Sequence, residues 1–210
     1  MRGYGNLVEG YRRFRAKQSS DTRKKWQELV EGQSPRAVII ACCDSRADPA
    51  AIFDADPGDI FVVRNVANLV PPFEPDGALD GVSAAIEFGV NQLGVPEIVV
   101  MGHEKCGGIS AALTGRFHDA RAGEGGFIDR WMSQIDESAR TIAEEHGRSP
   151  EAHRLLGEAA IRQSMANLRT FPFVAEREQK GSLVVLGCHF SIRNGELSVL
   201  EETQGKFRLV

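Results

Sequence analysis

The sequence predicts an α/β fold: a single domain with a central, mostly parallel sheet of four strands, one antiparallel edge strand, flanking helices and an N-terminal helical arm. Two observations predict it. Short apolar runs of strand length alternate with segments of helical periodicity, and the 210 residues contain no internal repeat and no long linker. We therefore expect one domain over residues 1–210, with the arm in residues 1–31 and the α/β core in residues 36–210.

The N-terminal arm is predicted from two amphipathic segments, residues 6–14 and 22–31. Their apolar positions recur at helical spacing, which favours one apolar face on each helix. These positions are Leu7, Tyr11 and Phe14 in the first segment and Trp26, Leu29 and Val30 in the second. Such faces predict that the arm packs against another surface.

The first half of the core reads as strand, strand, helix, strand. Residues 37–41 (AVIIA) and 60–63 (IFVV) are continuous apolar runs, typical of parallel strands buried on both faces. Residues 79–93 show helical periodicity and end before Gly94, and residues 97–101 (EIVVM) predict a third strand.

The second half reads as helices followed by two strands. We expect helices over residues 107–113, 127–146 and 150–170, and strands over residues 182–187 and 196–200. A Gly-rich loop precedes residue 126, and Ser149 followed by Pro150 is a typical helix start. Asn194 and Gly195 join the last two strands in the manner of a hairpin.

Composition and charge favour an ordinary cytoplasmic enzyme. A net charge of -4 gives no general attraction to nucleic acid or anionic membranes, so we expect neither as a partner. The start of the sequence lacks the apolar core of a secretory signal, and no apolar run is as long as a membrane span. In a reducing compartment, cysteines act more often as ligands or core residues than as disulfides.

Two thiols and an imidazole follow two of the predicted strands. Cys42 ends the first strand, and His103 and Cys106 follow the third. Sites in open parallel sheets form at the carboxyl ends of strands, so we expect these side chains to converge. Three protein ligands and one open position are typical of catalytic zinc. Asp44 and Arg46 follow within the same turn and supply an acceptor and a fixed cation.

The remaining candidate groups are better explained without a functional role. Cys43 should point to the other face of the extended backbone, and Cys188 reads as a small core residue. The other histidines read as surface or packing residues: His118, His146, His153 and His189. Gly107 and Gly108 could cradle phosphate, but no phosphate-binding pattern accompanies them.

Residues 42–46 (CCDSR) and 102–108 (GHEKCGG) carry a specific family resemblance. They match the Cys-x-Asp-Ser-Arg signature and the Gly-His-x-x-Cys-Gly segment of the β-class carbonic anhydrases. Residues 57–68 resemble the second-strand segment of that family, and residues 83–88 resemble its following helix. The likeness is dense over residues 20–113 and looser over the final strands.

The resemblance implies zinc-dependent, reversible hydration of carbon dioxide to bicarbonate and a proton. Cys42, His103 and Cys106 would be the zinc ligands, with water or hydroxide in the fourth place. Asp44 would orient that hydroxide, and Arg46 would be its charge partner. In many family members the aspartate can instead ligate zinc in a closed, inactive form.

The same resemblance implies a substrate pocket shared between two chains. Gln33 resembles the residue that donates a hydrogen bond to substrate oxygen, and Gly107 resembles a close backbone contact. Phe61, Val66 and Phe88 resemble the apolar wall around carbon dioxide. Because the glutamine and part of that wall come from a neighbouring subunit in the family, we expect a homodimer or a dimer of dimers.

Some departures and alternatives bear on this prediction. Family members with a noncatalytic bicarbonate site carry tryptophan where this sequence has Ile39, which leaves Arg64 without that partner. We therefore expect the open form at neutral pH. Hydrolysis of carbon disulfide or carbonyl sulfide would use the same zinc hydroxide. A noncatalytic scaffold protein would be expected to lose a ligand or the Asp-Arg pair, and this sequence keeps them.

Overall fold

The computed structural model describes residues 2–76 and 79–210. Two compact units make up the chain, Met1–Ser34 and Pro35–Val210. Residues 1–31 fall within the first unit and residues 36–210 within the second.

The first unit contains helices α1 (Arg2–Lys17) and α2 (Ser20–Val30). Ser19 caps α2, because its hydroxyl oxygen accepts a hydrogen bond from the Thr22 N–H at 3.1 Å. Phe14 and Trp26 make an edge-to-face ring contact between the two helices, with centroids 6.1 Å apart. The two predicted helices are confirmed, although α1 extends further in both directions than the apolar pattern indicated.

The second unit is built on a sheet that has six strands among the described residues, in the order β2-β1-β3-β4-β5-β6. The first four strands in that order are parallel, and the last two are antiparallel additions at one edge. Their bounds are β1 (Ala37–Cys42), β2 (Ile60–Asn65), β3 (Glu97–His103), β4 (Val184–Ser191), β5 (Glu196–Glu201) and β6 (Lys206–Leu209). The predicted fold class is confirmed.

Strand β6 was not predicted from the sequence. It has only four residues, and two of them are cationic. An exposed edge strand needs no continuous apolar run, so its sequence gave little strand signal.

The helices of this unit connect the strands and cover the sheet. They are α3 (Pro49–Ile52), α4 (Gly81–Glu87), α5 (Gly107–Thr114), α6 (Gly126–Met132), α7 (Asp136–His146), α8 (Pro150–Leu168) and α9 (Pro172–Gln179). Helix α4 continues into a π-helical turn over Phe88–Gln92, so the predicted 79–93 helix is largely confirmed. The prediction of one helix over residues 127–146 was wrong, because the 3-10 turn Ser133–Ile135 divides it. Helix α9 was not predicted, and it buries only Val174.

The core lies between α8 and one face of the sheet. Every residue of β1 is buried, which confirms the interpretation of its apolar run. The expectation of a buried strand over residues 60–63 was wrong, because β2 lies at the edge of the sheet and none of its residues is buried. Ile161 and Met165 on α8 belong to the same buried cluster as Val38 and Ile98 on the central strands. Burial of apolar side chains is the dominant favourable contribution to folding, so this cluster is a main stabilising interaction of the unit.

A glycine on β4 sets how closely α8 approaches the sheet. A Cβ added at Gly187 would lie 2.6 Å from Met165 Sδ and 2.7 Å from Ile161 Cγ2. A Cβ at Gly157, on α8 itself, would meet only the His189 ring, at an ordinary 3.8 Å. Two glycines at one interface therefore have opposite steric surroundings.

We expect Gly187→Ala to lower the free energy of unfolding by about 1–3 kcal/mol, because the core must shift to admit the methyl group. Gly157→Ala is the matched control and should raise it by about 0.5–1 kcal/mol, since alanine favours the helix interior. Equilibrium denaturation by urea measures both changes. Equal effects of the two substitutions would contradict the close packing at Gly187.

Candidate metal centre

Three buried side chains meet at the carboxyl ends of β1 and β3. Cys42 ends β1, His103 ends β3, and Cys106 immediately precedes α5. Their ligand atoms all lie within 4.8 Å of one another, and the two sulfur atoms are 3.8 Å apart. Within residues 2–76 and 79–210, no other group of histidine, cysteine or acidic side chains is placed to hold a metal ion. The predicted convergence of these residues is confirmed.

The orientation of the His103 ring leaves one nitrogen for a metal. Its Nδ1 lies 2.9 Å from the Glu104 carbonyl oxygen, and a carbonyl only accepts, so Nδ1 carries the proton. In the neutral ring Nε2 therefore carries the lone pair, and this atom is buried without a hydrogen-bond partner. A carbonyl that fixes the tautomer of a metal-binding histidine is a common arrangement in metal sites.

The turn between His103 and Cys106 lets both side chains reach the same point. Lys105 adopts a left-handed backbone conformation with φ of 53°, uncommon for a residue with a side chain. The Glu104 N–H donates to the Phe190 carbonyl oxygen at 2.8 Å, which ties the start of the turn to β4. Strained backbone of this kind persists where the surrounding structure enforces it, and it often occurs at functional sites.

The two neighbouring thiols shift each other's pKa in opposite directions. The hydrogen bond from Cys106 lowers the pKa of Cys42 to about 4, against the opposing effect of burial. The same hydrogen bond, together with burial, raises the pKa of Cys106. Ionising both thiols therefore needs a nearby positive charge, which a divalent cation supplies. Two sulfurs and an unpaired imidazole nitrogen fit zinc, whose protein ligands are thiolate and neutral histidine.

Asp44 stands beside these ligands and is held by Arg46. The guanidinium donates from Nε to Oδ1 at 2.9 Å and from Nη2 to Oδ2 at 2.7 Å. The Arg46 backbone N–H also donates to Oδ1, at 2.9 Å. These hydrogen bonds hold the pKa of Asp44 well below its usual range, so the group is a carboxylate at neutral pH. Its Oδ2 lies 3.9 Å from His103 Nε2.

Arg46 also connects the two loops that carry the site. Its Nη2 donates to the Lys105 carbonyl oxygen at 3.2 Å, in the turn between His103 and Cys106. The loop after β1 and the loop after β3 are thereby joined beside Asp44. A bidentate guanidinium fixes direction as well as charge, which a lysine would not do.

The contacts that two residues make at the site were not predicted from the sequence. His153, assigned to packing, lies with Nε2 3.0 Å from the Cys106 carbonyl oxygen. Arg64, expected to lack an aromatic partner, instead donates to the Cys42 carbonyl oxygen at 2.9 Å and pairs with Asp48 at 2.7 Å. The sequence offered one signal for the contacts of Arg64, since an arginine on a half-buried strand needs polar partners.

Of the predicted pocket residues, Val66 and Gly107 lie close to the start of α5. A Cβ added at Gly108 would be 2.8 Å from Val66 Cγ1, which places Val66 against this helix. The Val66 carbonyl oxygen accepts a hydrogen bond from Trp131 Nε1 at 2.7 Å. A Cβ at Gly107 would meet nothing within 4 Å, so the backbone beside buried Cys106 faces open space.

The other predicted pocket residues lie elsewhere along the chain. Phe61 on β2 and Phe88 after α4 stack on each other with ring centroids 5.8 Å apart. Phe88 remains 46% exposed. Gln33 belongs to the first compact unit, and Cys42, His103 and Cys106 belong to the second.

No helix in the described part of the chain is both long and apolar enough to cross a membrane.

Comparison with known proteins identifies the family. The sequence profile of the family described as "Carbonic anhydrase" matches residues 37–197. A carbonic anhydrase from Pseudomonas aeruginosa is 34% identical over 206 residues, which covers 96% of this chain and 90% of that protein. The chloroplastic beta carbonic anhydrase 5 of Arabidopsis thaliana is 33% identical over 192 residues, covering 90% of this chain and 62% of that protein.

Solved structures agree with the sequence matches. The beta-carbonic anhydrase CcaA superposes with a TM-score of 0.88 at 27% identity and covers 99% of both chains. A beta-carbonic anhydrase of Sordaria macrospora, described as tetrameric, gives a TM-score of 0.79 at 26% identity over 96% of this chain and 98% of its own. The chain therefore belongs to the β class of carbonic anhydrases, zinc enzymes that hydrate carbon dioxide reversibly to bicarbonate and a proton.

Proposed function

We propose that Cys42, His103 and Cys106 hold the zinc ion with which this enzyme hydrates carbon dioxide. The observation that carries this assignment is the buried Nε2 of His103, which has a free lone pair and lies among two cysteine sulfurs within 4.8 Å. Both thiols would bind as thiolates, and bound zinc supplies hydroxide as a nucleophile at neutral pH by lowering the pKa of water.

Asp44 is the residue we assign to orienting the nucleophile. As a carboxylate it only accepts hydrogen bonds, so the O–H of the nucleophile donates to it and a lone pair is left facing carbon dioxide. Addition of hydroxide to the carbon gives bicarbonate, and the proton of the original water is released to solvent. Arg46 supports this step indirectly, because its two bonds to Asp44 fix the carboxylate plane.

The Asp44–Arg46 pair supports the open form of the site. A closed form with Asp44 as a fourth zinc ligand would require Asp44 to leave both guanidinium bonds. The same carboxylate also accepts from the Arg46 backbone N–H at 2.9 Å, so its orientation is fixed at three points. We propose that this pair stays intact during turnover at neutral pH.

We further propose that carbon dioxide approaches over Gly107, with Val66 as part of an apolar wall. Open space at the Gly107 Cβ position supports this approach, since a substrate can contact the backbone there directly. Phe61 and Phe88 would complete the wall, and Gln33 would donate a hydrogen bond to substrate oxygen, from a neighbouring chain.

A homodimer or a dimer of dimers is the assembly we propose, with residues 1–31 as an arm on a single α/β core. The exposed apolar side chains of α1 support it: Leu7 is 72% exposed and Tyr11 58% exposed. Burying large apolar side chains gives about 1.5–3 kcal/mol each, so a second copy is a favourable covering for them. We propose a cytoplasmic location, because the site needs Cys42 and Cys106 as free thiols and both are free here.

The central prediction is that the zinc-loaded protein hydrates carbon dioxide well above the buffer rate in a stopped-flow pH-indicator assay. Protein stripped of zinc by a chelator is the control and should fall to background, with activity restored by adding zinc. Metal analysis should find one zinc per chain. A background rate from the fully zinc-loaded protein would refute the assignment, and hydrolysis of carbon disulfide without hydration would indicate the alternative activity.

Asp44→Asn should lower kcat at least about tenfold, because the amide can donate to the nucleophile and no longer holds it in one orientation. Zinc content should remain close to that of the unmodified enzyme. The matched control is Asp119→Asn, since Asp119 is an exposed carboxylate that pairs with its neighbour His118. Loss of zinc from the Asp44 variant would instead identify Asp44 as a ligand.

The double substitution Leu7→Glu and Tyr11→Glu should shift the enzyme toward smaller species in sedimentation velocity, because two charges would enter a buried apolar contact. Specific activity should become concentration-dependent if the pocket is shared between chains. Glutamate at Arg12 and Arg13, on the same helix, is the control for added negative charge and should leave the assembly in place. An unchanged sedimentation coefficient in the Leu7 and Tyr11 variant would exclude this face from the interface.

A further inference from the structure

Arg64 lies at the centre of the loop that carries Cys42, Asp44 and Arg46. It lies on β2 directly opposite Ala41 of β1, which is the residue before Cys42. The guanidinium donates from Nε to the Cys42 carbonyl oxygen at 2.9 Å and from Nη2 to the Asp44 carbonyl oxygen at 2.6 Å. Its side chain is only 26% exposed.

The contacts of Arg64 define the path of residues 42–48. Nη2 also approaches the Ala47 carbonyl oxygen at 3.4 Å, so three carbonyl groups of one short loop point at a single guanidinium. Carbonyl dipoles that converge in this way repel one another unless a cation lies between them. A guanidinium supplies both the charge and several donors in a fixed plane, which suits such a turn.

Asp48 fixes the guanidinium from the far end of the same loop. Its Oδ2 pairs with Arg64 Nη1 at 2.7 Å, and its Oδ1 accepts from the Ala50 N–H at 3.0 Å at the start of α3. One carboxylate therefore joins the helix start to the arginine. The loop is held at its first residue by β1, at its last by α3, and in the middle by Arg64.

We infer that Arg64 is a positioning residue for the hydration reaction: its guanidinium fixes the backbone at Cys42 and Asp44 and thereby aims both side chains. This inference rests on the proposed roles of Cys42 and Asp44. Arg64 donates to the carbonyl groups of both residues and to no atom of their side chains. Its effect on turnover therefore passes through them.

Arg64→Lys tests the inference while keeping the charge, because a single ammonium group cannot satisfy three carbonyls and a carboxylate together. Zinc release to a chelator should become about tenfold faster, since Cys42 is less well held. The kcat for hydration should fall about tenfold in the unmodified enzyme, yet less than about twofold in the Asp44→Asn background, where orientation is already lost.

The matched control is Arg169→Lys. Arg169 is also part-exposed and bidentate, but its partners are Glu178 and Glu202, outside residues 42–48. This control should leave zinc release and kcat unchanged. Asp48→Asn is a second variant, which keeps the acceptor for the Ala50 N–H and removes the charge facing Arg64. It should also accelerate zinc release, by about threefold or more.

The inference is overturned if Arg64→Lys releases zinc as slowly as the unmodified enzyme. It is also overturned if Arg64→Lys lowers kcat by the same factor in the unmodified enzyme and in the Asp44→Asn background. If circular dichroism shows that Arg64→Lys does not fold, Asp48→Asn provides the test. Zinc release from Asp48→Asn at the rate of the unmodified enzyme would then overturn the inference. Zinc release needs no turnover. A protein that binds zinc without hydrating carbon dioxide would therefore refute the proposed function while the role of Arg64 at Cys42 was still measured.

Discussion

The site depends on the parallel pairing of β1 with β3. Ala41 lies opposite Met101 at the end of this ladder, and the chain then reaches Cys42 after one residue and His103 after two. Each of these residues is still held on its outer side, Cys42 opposite Asn65 of β2 and His103 opposite Phe190 of β4. A slip of one residue would turn either side chain to the opposite face of the sheet. The buried apolar strands therefore fix the site geometry before any metal binds.

Repulsion between two buried thiolates explains why this geometry needs a cation. Two thiols with sulfurs 3.8 Å apart cannot both ionise cheaply when buried, as the opposite pKa shifts of Cys42 and Cys106 indicate. His103 adds a buried Nε2 that has no hydrogen-bond partner. The folded strands hold these groups together, and a bound cation would relieve the unfavourable contact between them. The hydrogen bond from His103 Nδ1 to the Glu104 carbonyl oxygen also fixes the orientation of the ring.

The sequence was informative wherever the physical signal was local. The apolar runs of β1 and β3 predicted buried strands, and the residues that end them predicted the ligand cluster. Weak or nonlocal signals were missed: β6 is short and charged, and the break between α6 and α7 falls inside a periodic segment. The contacts from His153 to Cys106 and from Arg64 to Asp48 join residues that are far apart in sequence and belong to no recognisable motif. Only the folded backbone brings them together.

Charge balance around the proposed ligands gives the two arginines complementary effects. Two thiolates reduce the effective positive charge of zinc compared with a site of three histidines, so bound water should be less acidic. Arg46 stands within reach of Asp44, and Arg64 stands behind the carbonyls of Cys42 and Asp44. Their fixed positive charges favour ionisation of the bound water and do not occupy the open coordination position. Both also act through planar, multidentate hydrogen bonds, so the same two side chains supply charge and hold the loop that presents Asp44.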